Sequence, residues 1–198
     1  MLKVSQMQTQ KKKYISPEEY LETERKAEFK SEYYNGEMFL PTGASVKHNR
    51  ISTNLTALLH NQLRHKPCSV FHSDLRVKSE KSEFYTYPDI IVVCGEPKFE
   101  EKSHMDTVLN PVIIIEILSE PTKDYDRGQK FEFYRLIPEL IDYILVAQDK
   151  IHIEHFTKLR ENEWLLKEFS GFTDNIQIES IKYLLSVNEI YEKIEFVR

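Results

Sequence analysis

A β-branched run with an acid inside it constrains the fold of this chain more than any other feature. Pro111-Val112-Ile113-Ile114-Ile115-Glu116-Ile117-Leu118 has the pattern of a strand buried on both faces. Glu116 interrupts it. An ionised carboxylate at such a position carries a desolvation cost of several kcal/mol unless a cation, a proton or a hydrogen-bond network compensates it. The run therefore predicts both a central strand and a polar site built against it.

A second apolar run, Pro88-Asp89-Ile90-Ile91-Val92-Val93, carries an acid at its mouth. Strand alternation puts Asp89 on one face with Ile91 and Val93, and Glu116 on one face with Val112, Ile114 and Leu118. If the two strands are neighbours, their carboxylates converge. The segment Asp126-Arg127-Gly128-Gln129-Lys130 follows, placing a lysine near the start of the next helix. Two acids and a lysine in this order suggest a site for a hard divalent cation, which takes oxygen ligands and often only one or two carboxylates. Such a site activates water and stabilises charge on a phosphoryl group. Each residue alone has a plainer reading. Asp89 can be a turn or capping residue, Glu116 a buried partner of Arg or His, and Lys130 an exposed lysine paired with Asp126 at i,i+4.

At 198 residues the chain is long enough for one domain with a substantial core. Residues 1–13 read as a disordered leader and 14–198 as a single domain. The two cysteines, Cys68 and Cys94, have no metal-like spacing, so neither a disulfide framework nor a thiolate zinc site is expected, and reduced thiols are the default. No stretch is apolar enough for a signal peptide or a membrane span, so a cytoplasmic protein is expected. A formal net charge of −5 opposes indiscriminate polyanion binding, although a local basic groove can coexist with it.

Local signals set the element order. Ser16-Pro17-Glu18-Glu19 is a capping box that predicts a helix running to about Phe29. Asn35-Gly36 splits Lys30–Pro41 into a hairpin. Ser45 caps a second helix whose apolar positions Ile51, Leu55, Leu58, Leu59 and Leu63 follow helical spacing, ending near Lys66-Pro67. Cys68–Lys78 and Phe84–Cys94 read as strands, 95–110 as a polar loop and Tyr125–Leu136 as a helix. Ile141–Ala147 returns to the sheet. Ile151–Phe156 and Trp164–Phe169 form a hairpin, followed by short extended pieces at 176–178 and 181–185. Ser186-Val187-Asn188-Glu189 is a second capping box opening a short helix. The order predicts a mixed α/β or α+β sandwich around one central sheet.

Several segments together resemble the Uma2 (DUF820-type) family of restriction endonuclease-like proteins in the PD-(D/E)XK nuclease superfamily. They are Glu32–Glu37 with its Asn-Gly turn, His48, Ser73-Asp74-Leu75-Arg76-Val77, Tyr87–Val92, Ile114–Ser119, and Asp124–Lys130 continuing to Tyr134-Arg135. The similarity covers about residues 14–190. It implies an αβββαβ nuclease core with a central mixed sheet and a β-rich C-terminal extension. It also implies Asp89 and Glu116 as metal ligands, aided by the backbone carbonyl of Ile117, with Mg²⁺ or Mn²⁺ as cofactor. The lysine expected two residues after the acid is replaced by Leu118, which maps the positive group onto Lys130. Ser119-Glu120-Pro121-Thr122 is a smaller departure.

His48, Asp74 and Arg76 are further candidates for nucleic-acid contact or for support of the site. Lys47, His48 and Arg50, and at the other end of that helix Arg64, His65 and Lys66, can line a phosphate-tracking groove. The function expected is Mg²⁺-dependent hydrolysis of DNA phosphodiesters, with Asp89, Glu116 and Lys130 as the catalytic set and Lys130 orienting water or stabilising the reacting phosphate. The superfamily implies 5′-phosphate and 3′-hydroxyl ends. A homodimer, with the aromatic-rich tail after Ile141 as its interface, would let each subunit cut one strand. The alternative is a non-catalytic nuclease-fold module that binds nucleic acid or protein.

Overall fold

The computed structural model describes residues 14–41 and 43–196, and the expected leader at 1–13 lies outside the described residues. Helix α1 (Pro17–Glu24) opens on a completed capping box, with Ser16 Oγ accepting from Glu19 N and the Glu19 carboxylate accepting from Ser16 N. It stops short of Phe29. Glu24 turns inward to accept hydrogen bonds from Ser31, and Arg25 is drawn out to Asp106 at 2.8 Å and Glu101 at 3.2 Å.

Strands β1 (Glu32–Tyr34) and β2 (Glu37–Phe39) form the hairpin that Asn35-Gly36 predicts. Both turn residues take positive φ, 45° and 88°, the turn whose twist matches its flanking strands. Only glycine fits at position 36, because a Cβ there would lie 2.1 Å from the Tyr14 ring. Helix α2 (Val46–Leu63) begins where Ser45 Oγ accepts from His48 N, and it buries Ile51, Leu55, Leu59 and Leu63 at i, i+4 spacing.

Both long strand-like stretches that follow divide between two sheets. Cys68–Lys78 becomes β3 (Cys68–His72) and β4 (Arg76–Lys78), and Phe84–Cys94 becomes β5 (Phe84–Thr86) and β6 (Ile90–Cys94). Pro88 lacks an N–H for the ladder, so the chain leaves one sheet at Tyr87 and enters the other at Ile90. The expected polar loop contains the short β7 (Thr107–Val108), and the acid-bearing run forms β8 (Ile113–Leu118), buried at every position.

Next comes one continuous helical stretch: α3 (Lys123–Tyr125), a π-helical turn (Asp126–Lys130) and α4 (Phe131–Tyr134). The remaining strands are β9 (Asp142–Ala147), β10 (Ile153–Arg160), β11 (Glu163–Phe169), β12 (Asn175–Ile178) and β13 (Tyr183–Ser186). Helix α5 (Val187–Ile190) follows β13. Its expected capping box is not made: Ser186 Oγ accepts no cap hydrogen bond, and its hydroxyl donates to Asn188 Oδ1.

The main sheet has the order β11-β10-β9-β8-β6-β3, with β8 and β9 parallel and the other pairs antiparallel. A second sheet, β2-β1-β5-β4-β7, replaces the single sheet expected from sequence, and β12 pairs with β13 alone. Apolar layers cover both faces of the main sheet. Helix α2 and the C-terminal segments pack on Ile90, Val92, Ile113 and Ile115, while Tyr134, Ile137, Leu140 and Phe84 pack with Ile91, Ile114 and Tyr143. The architecture is thus mixed α/β, as expected. No helix among the described residues is long and apolar enough to cross a membrane.

The expectation of two free thiols is corrected. Cys68 and Cys94 form a disulfide. They are 26 residues apart, and only the β3–β6 register brings them directly opposite each other, with Cα atoms 4.0 Å apart.

Candidate active site

Strand register builds the site. In the antiparallel β6–β8 pair, Ile91 faces Ile114 and Ile90 faces Ile115, so one further step sets Asp89 opposite Glu116. Alternation then puts both side chains on the face shared by Ile91 and Ile114. The carboxylate of Asp89 is held from two sides. The Ile117 N–H donates to its Oδ2 at 2.7 Å, and His48 Nε2 lies 3.1 Å from both oxygens. His48 reaches it because the Ser45 cap fixes the first turn of α2 at this end of the sheet. The other ring nitrogen, His48 Nδ1, is buried and has no hydrogen-bond partner among the described residues.

Glu116 is 3 % exposed. Its Oε1 accepts from Lys130 Nζ at 3.0 Å and from the Tyr134 hydroxyl at 2.8 Å, while Oε2 accepts no hydrogen bond from any described residue. The Lys130 ammonium also meets Glu32 at 3.2 Å and Asp126 at 3.3 Å. Three buried carboxylates therefore surround one buried cation. Lys130 and Asp126 sit in the π turn, a wider helical turn of the kind that recurs at functional sites. Glu32 is held in turn by donors from Thr86 Oγ1, Tyr125 Oη and the Tyr87 N–H.

Burial is the largest influence on each of these groups. It drives the Glu116 carboxyl well above its ordinary range, aided by the nearby charges of Asp126, Asp89 and Glu32 and opposed by Lys130. Asp126 is raised for the same first reason. Burial also opposes ionisation of Glu32, but Lys130 together with the Thr86 and Tyr87 donors outweighs it and leaves that carboxyl below its ordinary range. For Lys130 burial would favour the neutral amine, yet the charges of Glu116, Glu32 and Asp126 prevail and raise its pKa well above normal.

Of the residues singled out from sequence, His48, Asp89, Glu116, Ile117 and Lys130 all line a single cleft of about 1260 Å³. Asp74 and Arg76 do not line it. Asp74 is 71 % exposed at its side chain and pairs with Lys30, whereas Arg76 is buried against Asp106, Thr107 and Tyr87. Lys47 lines the cleft, but Arg50, Arg64, His65 and Lys66 do not. Glu32 and Tyr134 are members of the site that sequence reasoning assigned no role. The signal for Glu32 was an acid in the first strand of a hairpin beside two tyrosines, and only the second sheet brings it to Lys130.

Asp89 and Glu116 suit a hard divalent cation: two carboxylates side by side, one oxygen of Glu116 unengaged, and a cleft for water and substrate oxygens. Among the described residues no cluster of three or more His, Cys, Asp or Glu is arranged to hold a metal ion, so water and substrate would complete the shell.

Comparison with known proteins bears on the family and the fold. A sequence model of the Uma2 family, described as "Putative restriction endonuclease", matches residues 17–188. The uncharacterized protein sll1609 of Synechocystis sp. (strain ATCC 27184 / PCC 6803 / Kazusa) is 41 % identical over 167 residues, 84 % of this chain and 93 % of that protein. A second uncharacterized Synechocystis protein, slr1290, is 34 % identical over 182 residues, covering 92 % and 94 %. The fold is similar to a crystal structure described as "a putative nuclease belonging to DUF820" from Anabaena variabilis ATCC 29413. That match has a TM-score of 0.75, 18 % identity, and coverage of 91 % of this chain and 99 % of the other.

Proposed function

The chain belongs to the Uma2 family, and on that premise we propose that it is a Mg²⁺-dependent (or Mn²⁺-dependent) endonuclease hydrolysing DNA phosphodiesters. The supporting observation is the cross-strand placement of Asp89 and Glu116 at the end of a covered sheet, inside a cleft, with the Lys130 ammonium 3.0 Å from Glu116. Asp89 and Glu116 would hold the ion, with the Ile117 carbonyl as a further oxygen. When bound, a divalent ion supplies charge neutralisation at phosphoryl oxygens and makes water a stronger nucleophile at neutral pH.

The chain's own groups prepare that site. The Ile117 N–H and His48 Nε2 fix the orientation of Asp89. Lys130 and Tyr134 fix Glu116 through Oε1 and leave Oε2 for the ion. An ammonium has three N–H donors, and Lys130 faces three carboxylates within 3.3 Å. Its part is then to position Glu116 and to contribute positive charge through space, rather than to donate a hydrogen bond to water. Products would be 5′-phosphate and 3′-hydroxyl ends.

A homodimer belongs to the same proposal. Strand β11 forms one edge of the main sheet and leaves Leu165 and Leu166 about 40 % exposed, so pairing through this edge would give an assembly with one cleft per subunit. Sedimentation of the wild type beside Leu165→Lys tests it; a monomer at all concentrations removes the dimer.

A second reading, a nuclease-fold binding module without chemistry, is favoured by the closed network of Lys130 with its carboxylates and of His48 with Asp89. One experiment separates the two. Plasmid DNA is incubated with the protein and Mg²⁺ or Mn²⁺, beside Asp89→Ala and Glu116→Ala. Cation-dependent cutting lost in both variants supports the nuclease. Cutting that survives Asp89→Ala refutes the assigned site, and DNA binding with no cutting favours the module.

A further inference from the structure

The cleft lining is chemically two-sided. Phe39, Leu40 and Val46 are 44 %, 77 % and 74 % exposed, and with Pro41 they form an apolar lip on the cleft that holds Asp89 and Glu116. Large apolar side chains this exposed, grouped beside a polar site, mark a contact surface. Its position is set by the hairpin: Phe39 is the direct cross-strand partner of Glu32, which itself touches Lys130. The lip thus begins one strand away from the buried charge cluster.

The rest of the rim favours an anion. Apart from Lys130 the cleft is lined by five Lys and Arg side chains; Lys30, Lys123 and Arg127 are paired with Asp74, Glu120 and Glu154, which leaves Lys47 and Lys150 to meet an anion. A shallower groove continues from the cleft along α2, sharing Asn49, Ser52 and Ser73 and lined further by Thr53, Thr56 and His60. Thr53 Oγ1 and Asn49 Nδ2 donate to helix carbonyls, while hydroxyl donors such as those of Ser52 and Thr56 suit phosphate and sugar oxygens.

An occupant must therefore present flat apolar surface and phosphate within a few ångströms of each other. Paired duplex DNA presents base faces only where a step is forced apart, at a cost of roughly a few kcal/mol; elsewhere stacking covers them and only base edges and the backbone reach the protein. A single strand does so without that cost, since its unstacked bases lie on aromatic side chains such as Phe39 while the backbone follows basic groups. We propose that Phe39, Leu40, Pro41 and Val46 form a stacking surface for unpaired bases, so that the strand reaching Asp89 and Glu116 enters the cleft single-stranded. The inference rests on reading that site as a nuclease centre and adds its substrate class: single strands, or the unpaired arms and loops of structured DNA.

The test reads binding separately from cutting. Fluorescence anisotropy with the full-length protein in EDTA compares a labelled oligothymidylate with a blunt duplex of equal length, for the wild type, Phe39→Ala and Leu40→Ser. These side chains are exposed, and thermal melting checks that each variant is folded. The expected result is tighter binding of the single strand, weakened roughly 5- to 150-fold by Phe39→Ala, the range for loss of one base–aromatic stack, with duplex binding unchanged. Equal or tighter binding of duplex overturns the proposal, as does an unchanged Phe39→Ala. A lip covered by a second copy of the chain, seen as a dimer that Leu40→Ser dissociates, also overturns it. Duplex cutting without single-strand preference would sink this inference and spare the nuclease reading. Phe39-dependent single-strand binding that never leads to cutting would do the reverse.

Discussion

Replacing Lys130 by methionine keeps the apolar stem and removes the ammonium that Glu116, Glu32 and Asp126 face at 3.0, 3.2 and 3.3 Å. At an effective dielectric constant near 20, each contact is worth about 5 kcal/mol of Coulomb attraction before desolvation. The three do not add. Burial already raises the Glu116 and Asp126 carboxyls, and loss of the cation raises them further, so their charge is given up more readily than that of Glu32. Glu32 is the carboxylate left stranded, because its lowered pKa depends on Lys130. The net cost is therefore that of breaking one buried pair, about 3–5 kcal/mol. For a chain of this size that lowers Tm by roughly 6–20 °C.

The pH dependence has a definite sign. Glu32 is held below its ordinary value of 4.5, so its contribution is present above that value and lost as pH falls through the folded pKa. Lys130 is raised above 10.5, so its contribution is present below that value and lost as pH rises through its folded pKa. The gap between wild type and Lys130→Met should be full at about pH 8, between the ordinary values of glutamate and lysine, and should shrink below about pH 4. Urea unfolding followed by far-UV circular dichroism measures it, and adding Glu32→Gln to Lys130→Met should recover part of the loss. Equal unfolding free energies for wild type and Lys130→Met at about pH 8 would show that the ammonium does not balance these carboxylates.

Three further outcomes are expected. Glu116→Gln keeps an acceptor for Lys130 and Tyr134 while removing a carboxylate whose charge burial disfavours, so it should raise Tm at neutral pH and abolish cation-dependent cutting, read by calorimetry and plasmid nicking. Cys68→Ser opens a loop spanning 26 residues and should cost about 3.5 kcal/mol by chain entropy, matched in size by adding reductant to the wild type and absent when reductant acts on the variant. Burial pushes the Asp106 carboxyl up, but Arg25 at 2.8 Å and Arg76 at 2.5 Å prevail and hold it well below the ordinary 3.8. Its stabilising contribution is thus present above that value and lost as pH falls through the folded pKa, so Asp106→Asn should melt lower than wild type at neutral pH and converge with it in strong acid.

Locally encoded features could be read from the chain alone. The Ser16 and Ser45 caps, the Asn35-Gly36 turn, the apolar face of α2 and the buried run around Glu116 each depend on a few neighbouring residues and on fixed periodicities of helix and strand. Even the shared face of Asp89 and Glu116 follows from alternation once their strands are taken as neighbours. The Ser186 box is not made although its sequence is suitable, and the Ser186 hydroxyl donates to Asn188 Oδ1.

The amino-acid order determined that an acid must be accommodated within the core and that two acids and a lysine recur on successive elements. Tertiary structure decided what surrounds them. Glu32 reaches Lys130 only because Pro88 sends the chain from one sheet to the other, and Cys68 meets Cys94 only through the β3–β6 register. A separate crossing, from β3 to β4, carries Asp74 out to solvent and buries Arg76 against Asp106. Caps and turns are settled by interactions between residues a few positions apart, whereas pairing partners, sheet membership and the electrostatic balance of a buried site depend on which distant segments pack together. No local window of the sequence contains that information.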